Sequence, residues 1–308
     1  MIPAGYLARR LLLLVPVLFG VSLVAFGALR LIPGDPARLL AGDDATEAVV
    51  ESLRGRFGLD RPLPVQYAIW LGHVATGDLG PSFKSGRPVL LEIRDRYGHT
   101  VVLTLVSVLL AVVIGIPAGV IAARWRGQPV DRTTMLVALV GICVPGFWLG
   151  IMLQLLFSVR LGWLPAAGSG SWQHLVSPSL TLAAFAVANF ARVTRASVLE
   201  VLDLDYVRTA RAKGVGEGRT LFWHALRNAL LPVVTVVGVE FGHLMAGTVI
   251  AETVFGYPGI GRFLVQSILS RDYPAVQGVV LVIAVSYVLV NLLVDLAYAV
   301  CDPRVSYR

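Results

Sequence analysis

The sequence is short of charged residues. Asp, Glu, Lys and Arg make up 15% of its 308 residues, whereas a soluble domain carries roughly 25%. Together with a mean hydropathy of +0.75, this deficit argues against a soluble globular domain. It places the chain among integral membrane proteins.

Cysteine and several catalytic motifs are also scarce or missing. The two cysteines, Cys143 and Cys301, form no metal-binding or redox spacing, and we expect both to be reduced apolar residues in the membrane. No GxxxxGK[S/T] motif occurs, so we expect no P-loop and no ATP hydrolysis by that chemistry. HExxH and GxSxG are absent, and no Ser–His pair is placed for an intramembrane protease. Transport is therefore favoured over catalysis, without a metal or cofactor in this chain.

Long apolar runs are what the sequence does contain. A membrane-spanning helix needs about 20 apolar residues, and six runs approach or reach that length. They are Leu11–Leu29, Val101–Ala123, Met135–Val159, Val176–Ala191, Val233–Ala251 and Ala275–Val300. The fold class predicted from them is an all-α polytopic membrane protein with six transmembrane helices.

The basic residues predict the orientation. Fourteen Lys and Arg residues flank the spans on the side of the two termini, against three in the short loops opposite. Short loops rich in Lys and Arg stay in the cytoplasm, so both termini are predicted to be cytoplasmic. The net charge of +7 then reflects topology, and nucleic-acid binding is not expected.

The loop between the first two spans is too long for a plain connection. We predict three helices in it: Glu47–Phe57, capped by Thr46 and closed by Gly58, a second from Pro64 to about Ala75, and a third from Pro88 to about Tyr97. The loop is either a lid over the spans or a docking surface for an extracytoplasmic partner, and composition favours neither.

Polar side chains inside the predicted spans are candidates for a transport pathway. Glu240 and His243 are three residues apart and share a helix face, as do Asn291 and Asp295, four apart, and Asn189 lies late in the fourth span. Ionisable groups at bilayer depth commonly mark functional sites, although they also join helices by hydrogen bonds. Both interpretations remain open for Asn189, Glu240, His243 and Asp295.

The basic segment between the fourth and fifth spans predicts two helices and a sharp turn. Asp205 is expected to cap a helix through Val207–Lys213, and Gly214 to end it in a left-handed conformation. After "VGEG", a second helix over Arg219–Leu231 leads to Pro232, where the fifth span is expected to begin. The exposed first helix is either a handle for a partner or a solvated linker.

This segment resembles the EAA loop of ABC-importer permeases. Ala210, Gly214 and the Leu-Pro at 231–232 follow that pattern, but Arg208 and Thr209 stand where the motif has glutamate and its first alanine. "ARAKG" and "HALRNALLP" resemble the peptide/nickel branch of the family. Similar motifs run along nearly the whole chain: "RLIPGDP", "GLDRPLPVQY", "GDLG", "FWLG", "LGWLP", "ETVFGYPGIG", "RDYPAVQG" and "DPR".

The resemblance implies a type I ABC-importer permease fold and a B-type subunit of a dipeptide/oligopeptide importer in the bacterial inner membrane. Its implied partners are a C-type permease, two ATPase subunits that bind ATP and Mg, and an extracytoplasmic peptide-binding protein. The residues implied to contact the ATPase are Asp205, Tyr206, Arg208, Thr209, Ala210, Arg211, Lys213 and Gly214. Alternatives are the same architecture importing glutathione or a nickel chelate, and an autonomous proton-coupled transporter.

The predicted organisation follows from the spans and the resemblance. Residues 1–30 hold the cytoplasmic N-terminus and the first helix, and residues 31–100 form the extracytoplasmic helical loop. Residues 101–300 form a five-helix permease core that includes the coupling loop 192–231, and residues 301–308 form a cytoplasmic tail.

Overall fold

The computed structural model describes residues 4–30, 35–42, 45–56 and 58–301. These residues are almost entirely helical, and their only β-structure is an isolated bridge between Pro81 and Pro88. The apolar composition explains this, because a helix satisfies its backbone hydrogen bonds within one segment and so tolerates lipid. The described chain divides into two compact units, residues 100–258 with 289–301, and residues 4–99 with 259–288.

The described α-helices are α1 (Ala4–Arg30), α2 (Pro36–Ala41), α3 (Glu47–Arg56), α4 (Leu63–Ala75), α5 (Val89–Arg124), α6 (Pro129–Cys143), α7 (Gly146–Leu153), α8 (Gln173–Leu202), α9 (Asp205–Ala212), α10 (Glu217–Arg219), α11 (Leu226–Val254), α12 (Ile260–Leu269) and α13 (Tyr273–Cys301). Two π-helical segments, Gln154–Arg160 and Thr220–Ala225, follow α7 and α10.

Most of the predicted spans are helices of membrane-crossing length. Helices α5, α8, α11 and α13 are long and apolar enough to cross a bilayer, and α6 with α7 makes a fifth span if that bent pair crosses once. The first predicted span lies within α1, a helix of 27 residues. An all-helical membrane fold is confirmed.

The third predicted span is not one straight helix. Its two parts, Pro129–Cys143 and Gly146–Arg160, meet at a bend of 101°. Val144 lies between them in an extended conformation, with φ −76° and ψ 123°. Proline disfavours helical geometry in the residue before it, so Pro145 accounts for the break.

The helices on either side of the basic segment are longer than predicted. α8 continues from the fourth span to Leu202, so the predicted loop 192–231 begins inside a helix. Pro232 does not start the fifth span but lies within α11, Leu226–Val254. Proline is tolerated inside membrane helices because neighbouring groups satisfy the backbone carbonyl that it leaves free.

The long loop after α1 is helical, and two of its three predicted helices are confirmed. α3 and α4 have the predicted positions, while Phe57, the predicted last residue of α3, lies outside the described residues. The third predicted helix is not separate, because Val89–Arg124 runs without a break into the second span. We call residues 35–88, within the second unit, the cap.

The first unit is packed around α5, α8 and α11. Leu103, Phe190 and Leu244 belong to its largest buried cluster. α5 approaches α8 so closely that a Cβ built on Gly119 would lie 2.5 Å from the carbonyl oxygen of Ala191. Small residues allow such contacts between membrane helices, and this contact fixes α8, which carries Asn189.

Candidate functional site

A polar group lies among apolar helices in the first unit. Glu240 of α11 is 3% exposed, and the side-chain nitrogen of Asn189 on α8 donates a hydrogen bond to its Oε1. The structure therefore brings together two residues that are 51 positions apart in sequence. Helix packing places Asn189 beside Glu240, which sequence spacing alone could not predict.

The second oxygen of Glu240 has no hydrogen-bond partner among the described residues. The Nδ1 atom of His243 is 3.8 Å from it, too far for a hydrogen bond. The two side chains share a helix face, as the spacing predicted, yet the imidazole is 60% exposed in this chain while the carboxylate is buried. A buried acceptor oxygen therefore lies near an accessible imidazole ring, without a hydrogen bond between them.

This arrangement can bind a cation or a hydrogen-bond donor. A carboxylate oxygen without a donor, surrounded by apolar side chains, is costly unless a cation or another donor meets it. An ammonium group is such a donor. Of the other predicted polar pair, Asn291 and Asp295, the side chain of Asp295 lies outside the described residues, although α13 runs through both positions.

A further buried acid was missed by the sequence reasoning. Glu252 is fully buried in the last turn of α11, and the hydroxyl of Thr100 donates to its Oε1 at 2.6 Å. The predicted fifth span ended at Ala251, one residue too early to include it. Its place at the start of "ETVFGYPGIG" was the available signal.

The basic segment forms the exposed helix that was predicted, with one correction at its start. α9 runs from Asp205 to Ala212, and its N-cap is Leu204, in an extended conformation. Asp205 is therefore the first helical residue and not the cap, but its negative charge still suits the helix N-terminus. Gly214 has φ +78°, the left-handed conformation expected of the residue that ends the helix.

α9 is attached through a narrow set of contacts. Val207 is its one buried residue, and the Tyr206 hydroxyl accepts a hydrogen bond from the side chain of Asn228 at 2.8 Å. Arg211 makes two hydrogen bonds to Glu217 beyond the turn, at 2.9 and 3.2 Å. The remaining candidate contact residues surround this anchor. Asp205, Arg208, Thr209, Lys213 and Gly214 are exposed, and Ala210 is half-buried.

A buried ion pair joins α8, the helix that precedes α9, to α6. Arg195 of α8 donates to both oxygens of Asp131, at 2.5 and 2.8 Å, and the backbone N–H of Gly127 adds a third hydrogen bond at 2.9 Å. Asp131 is 3% exposed. Arg195 was counted only as a topological charge in the sequence, because nothing local links it to a residue 64 positions earlier.

Known proteins are similar to this chain over nearly its whole length. Residues 115–307 match the family described as binding-protein-dependent transport system inner membrane component, and residues 4–104 match its N-terminal membrane-component family. The glutathione transport system permease proteins GsiC of Escherichia coli O6:H1 and Shigella dysenteriae serotype 1 are each 48% identical over 304 residues. Those matches cover 99% of this chain and of each relative.

Solved structures agree on the fold. The inward-facing MetNI methionine ABC transporter superposes with a TM-score of 0.61 at 19% identity, covering 69% of this chain and 97% of that one. An amino acid ABC transporter gives 0.53 at 16% identity, covering 70% and 94%. At these identities the likeness shows the type I importer permease fold alone. With the family matches, it means that the chain belongs to the binding-protein-dependent transport system inner membrane components and is the permease subunit of an ABC importer.

Proposed function

We propose that the chain forms half of the translocation pathway for short peptides and couples it to ATP hydrolysis on other subunits. The observation that carries this proposal is α9, a short exposed helix with one buried side chain and a left-handed glycine just beyond its end. Because one side chain anchors this helix, its polar face stays exposed for a partner. The direction of its backbone is set by the residues that attach it to the neighbouring helices. Movement of an ATPase against this face would be transmitted to α8 and α11.

The partners follow from that role. A C-type permease supplies the other half of the pathway, two ATPase subunits bind ATP and Mg, and a peptide-binding protein delivers cargo. This chain is the non-catalytic conduit and holds no cofactor of its own. Its residues for the ATPase contact are those of α9 and the following turn, above all Arg208, Arg211 and Gly214.

The pathway role belongs to Asn189, Glu240 and His243. The unpaired oxygen of Glu240 suits the protonated amino terminus of a peptide, and the exposed imidazole lies beside it. Asn189 holds the carboxylate from the other oxygen. We keep Asp295 as a fourth candidate on sequence grounds alone.

The substrate class is supported by the relatives. Proteins 48% identical to this chain are named glutathione transport permeases, and glutathione is a tripeptide with a free amino group and two carboxylates. We propose short peptides of this kind as cargo, with glutathione as the first compound to test. A nickel chelate receives no support of this kind.

The proposed orientation puts both termini in the cytoplasm of a bacterium and the cap outside the inner membrane. A cysteine in place of Ser85, in the cap, should react with an impermeant thiol reagent added to intact cells. A cysteine in place of Gly218, beyond α9, should react only after permeabilisation. The reverse labelling pattern would exclude this topology.

The coupling role is tested at Gly214. Valine is a steric outlier at positive φ, so Gly214→Val should distort the end of α9 at a local cost of about 1–3 kcal/mol. We expect normal membrane levels, reduced retention of the ATPase subunits in a pull-down, and at least a tenfold loss of ATP-dependent uptake of glutathione into proteoliposomes.

The matched control is Gly216→Val. Gly216 is two residues further along and also has free space around it, but its φ of −61° is open to any residue. It should retain the ATPases and import normally. Equal behaviour of the two variants would make the segment an ordinary linker, and uptake driven by a proton gradient without the ATPases would favour an autonomous transporter.

A further inference from the structure

A cavity of about 500 Å³ lies in the second unit. Its walls come from α4, from the connections before and after it and from the first turns of α13, with Phe26 of α1 and Gly55 of α3. Trp70, Phe83 and Tyr273 contribute aromatic surface, and Pro81 and Pro274 contribute further apolar surface. The volume is in the range of sites for small molecules, which combine apolar walls with a few convergent polar groups.

Two residues with polar side chains and low exposure line this cavity. Tyr273 and Gln277 are 7% and 4% exposed and lie four residues apart on one face of α13. In the part of the chain that the structure describes, no hydrogen bond joins either side chain to another residue, and neither polar end is among the fully buried atoms without a partner. Both polar ends are therefore accessible from the cavity, where a ligand can meet them.

The cavity also has a basic residue in its lining. Arg61 is exposed, lines the cavity and forms no ion pair with the acids that the structure describes. The other two charged lining groups face each other, with Nδ1 of His73 3.3 Å from Oδ2 of Asp78. One cationic fork therefore remains for an anion, and guanidinium binds carboxylates in two-pronged geometry.

The wall that contains Phe83 and Tyr273 is held in place by hydrogen bonds and a ring contact within the protein. The buried carboxylate of Asp272 accepts hydrogen bonds from the Ser82 hydroxyl and from the backbone N–H groups of Phe83 and Lys84. The rings of Phe83 and Tyr273 meet edge to face, with centroids 6.3 Å apart. A pre-formed wall reduces the ordering that binding would require.

We propose that this cavity binds the carboxyl-terminal end of a short peptide. Arg61 pairs with the terminal carboxylate, and the Gln277 carboxamide, which can both donate and accept, meets the adjoining peptide group. An apolar last side chain packs against Trp70 and Phe83. The inference rests on the peptide class of cargo proposed above, but it uses none of the residues of the Asn189–Glu240 group.

The test uses the full chain assembled with its partner subunits in nanodiscs, without the binding protein. The probes are the tripeptide Ala-Ala-Phe and its carboxyl-terminal amide, measured by titration calorimetry. We expect the acid to bind about tenfold or more tightly than the amide, since a charge-assisted pair is lost. Arg61→Gln should abolish this preference, and Gln277→Leu should weaken both probes about tenfold.

Matched controls separate the cavity from other binding. Arg94→Gln and Gln266→Leu change exposed residues of the same unit outside the cavity and should bind both probes as the wild type does. Tyr273→Phe removes only a hydroxyl, so a modest weakening there supports the site if Gln277→Leu folds poorly.

Several results would overturn the proposal. These are no binding of either probe to the wild type, equal affinities for acid and amide, or equal affinities of Arg61→Gln and Arg94→Gln. In a separate pull-down with the binding protein added, a loss of its association in Arg61→Gln, without any tripeptide binding, would assign the cavity to a protein contact instead. If peptides are imported but do not bind to this cavity, the proposed function is retained and the cavity site is rejected. If peptides bind to the cavity but are not imported, the cavity site is retained and the proposed function is rejected.

Discussion

Asp272 in the second unit and Glu240 in the first are both buried carboxylates, yet their oxygens are satisfied to different degrees. Asp272 is 2% exposed and accepts hydrogen bonds from Ser82, Phe83 and Lys84. Glu240 is 3% exposed and accepts one from Asn189, while its Oε2 has no hydrogen-bond partner among the residues that the structure describes. Similar burial therefore coexists with opposite bonding states.

This difference separates a structural role from a functional one. A buried charge that is fully hydrogen-bonded fixes the donor groups around it. Removing the charge leaves those buried donors without an acceptor. A buried charge with an unmet oxygen lowers stability in the resting chain, which is the expected state of a group that awaits a cation or a moving partner. Substitution should thus affect folding at Asp272 and transport at Glu240.

The largest effect on stability is expected from Asp272→Ala. It leaves the Ser82 hydroxyl and two backbone N–H groups of the cap without their acceptor, at a cost of about 3–5 kcal/mol. The thermal unfolding midpoint in detergent should fall by many degrees, and the cap should become sensitive to protease. Asp60→Ala, which changes an exposed carboxylate of the cap, is the control. Equal midpoints for the two variants would contradict the structural role.

Asp131→Ala should have the next largest effect. It strands Arg195 and the N–H of Gly127, but Arg195 is partly exposed and can regain water. We expect a loss of about 2–4 kcal/mol, measured as the unfolding midpoint of the assembled complex. Asp203→Ala removes an exposed acid, 3.4 Å from Arg126, and should change stability by less than about 1 kcal/mol. An equal loss in both variants would mean that burial of the pair is immaterial.

Glu240→Gln tests the other side of the comparison. The amide keeps the shape and removes a buried charge, so stability should change by no more than about 1 kcal/mol in either direction. ATP-dependent peptide uptake should fall at least tenfold, because a neutral amide attracts an ammonium far less than a carboxylate does. Glu200→Gln, at an exposed position of α8, should transport normally. Uptake equal to that of the wild type would return Glu240 to a helix-packing role.

Much of the fold followed from local pattern. The apolar runs predicted the helices α5, α8, α11 and α13, and positive φ at Gly214 followed from its position after a polar helix. What could not be predicted depends on distant contacts or on competing local rules. The break at Val144 and the unbroken helix at Pro232 involve the same residue type with opposite outcomes, because surrounding packing decides whether a proline is tolerated.

The candidate site divides in the same way. The proximity of Glu240 and His243 was readable from a spacing of three, and the exposed α9 from its polarity. The hydrogen bond from Asn189, the Asp131–Arg195 pair and the Asp272 network join residues more than 50 positions apart. Such pairs arise from the packing of whole helices, and a single sequence carries no local signal for them.

The smallest effect is expected at the exposed pair of Arg211 and Glu217. Both side chains are well exposed, so the pair itself contributes less than about 1 kcal/mol, and Glu217→Gln should leave stability and import nearly unchanged. Arg211→Glu instead reverses a charge on the face proposed to meet the ATPase and should reduce ATPase retention a few-fold, less than Gly214→Val. The double change Arg211→Glu with Glu217→Arg restores the pair but not the charge at 211. If retention recovers in the double variant, the ion pair matters and the docking face does not. We expect no recovery. An exposed ion pair contributes little to the stability of the turn, whereas the proposed ATPase contact needs a positive charge at position 211 of α9.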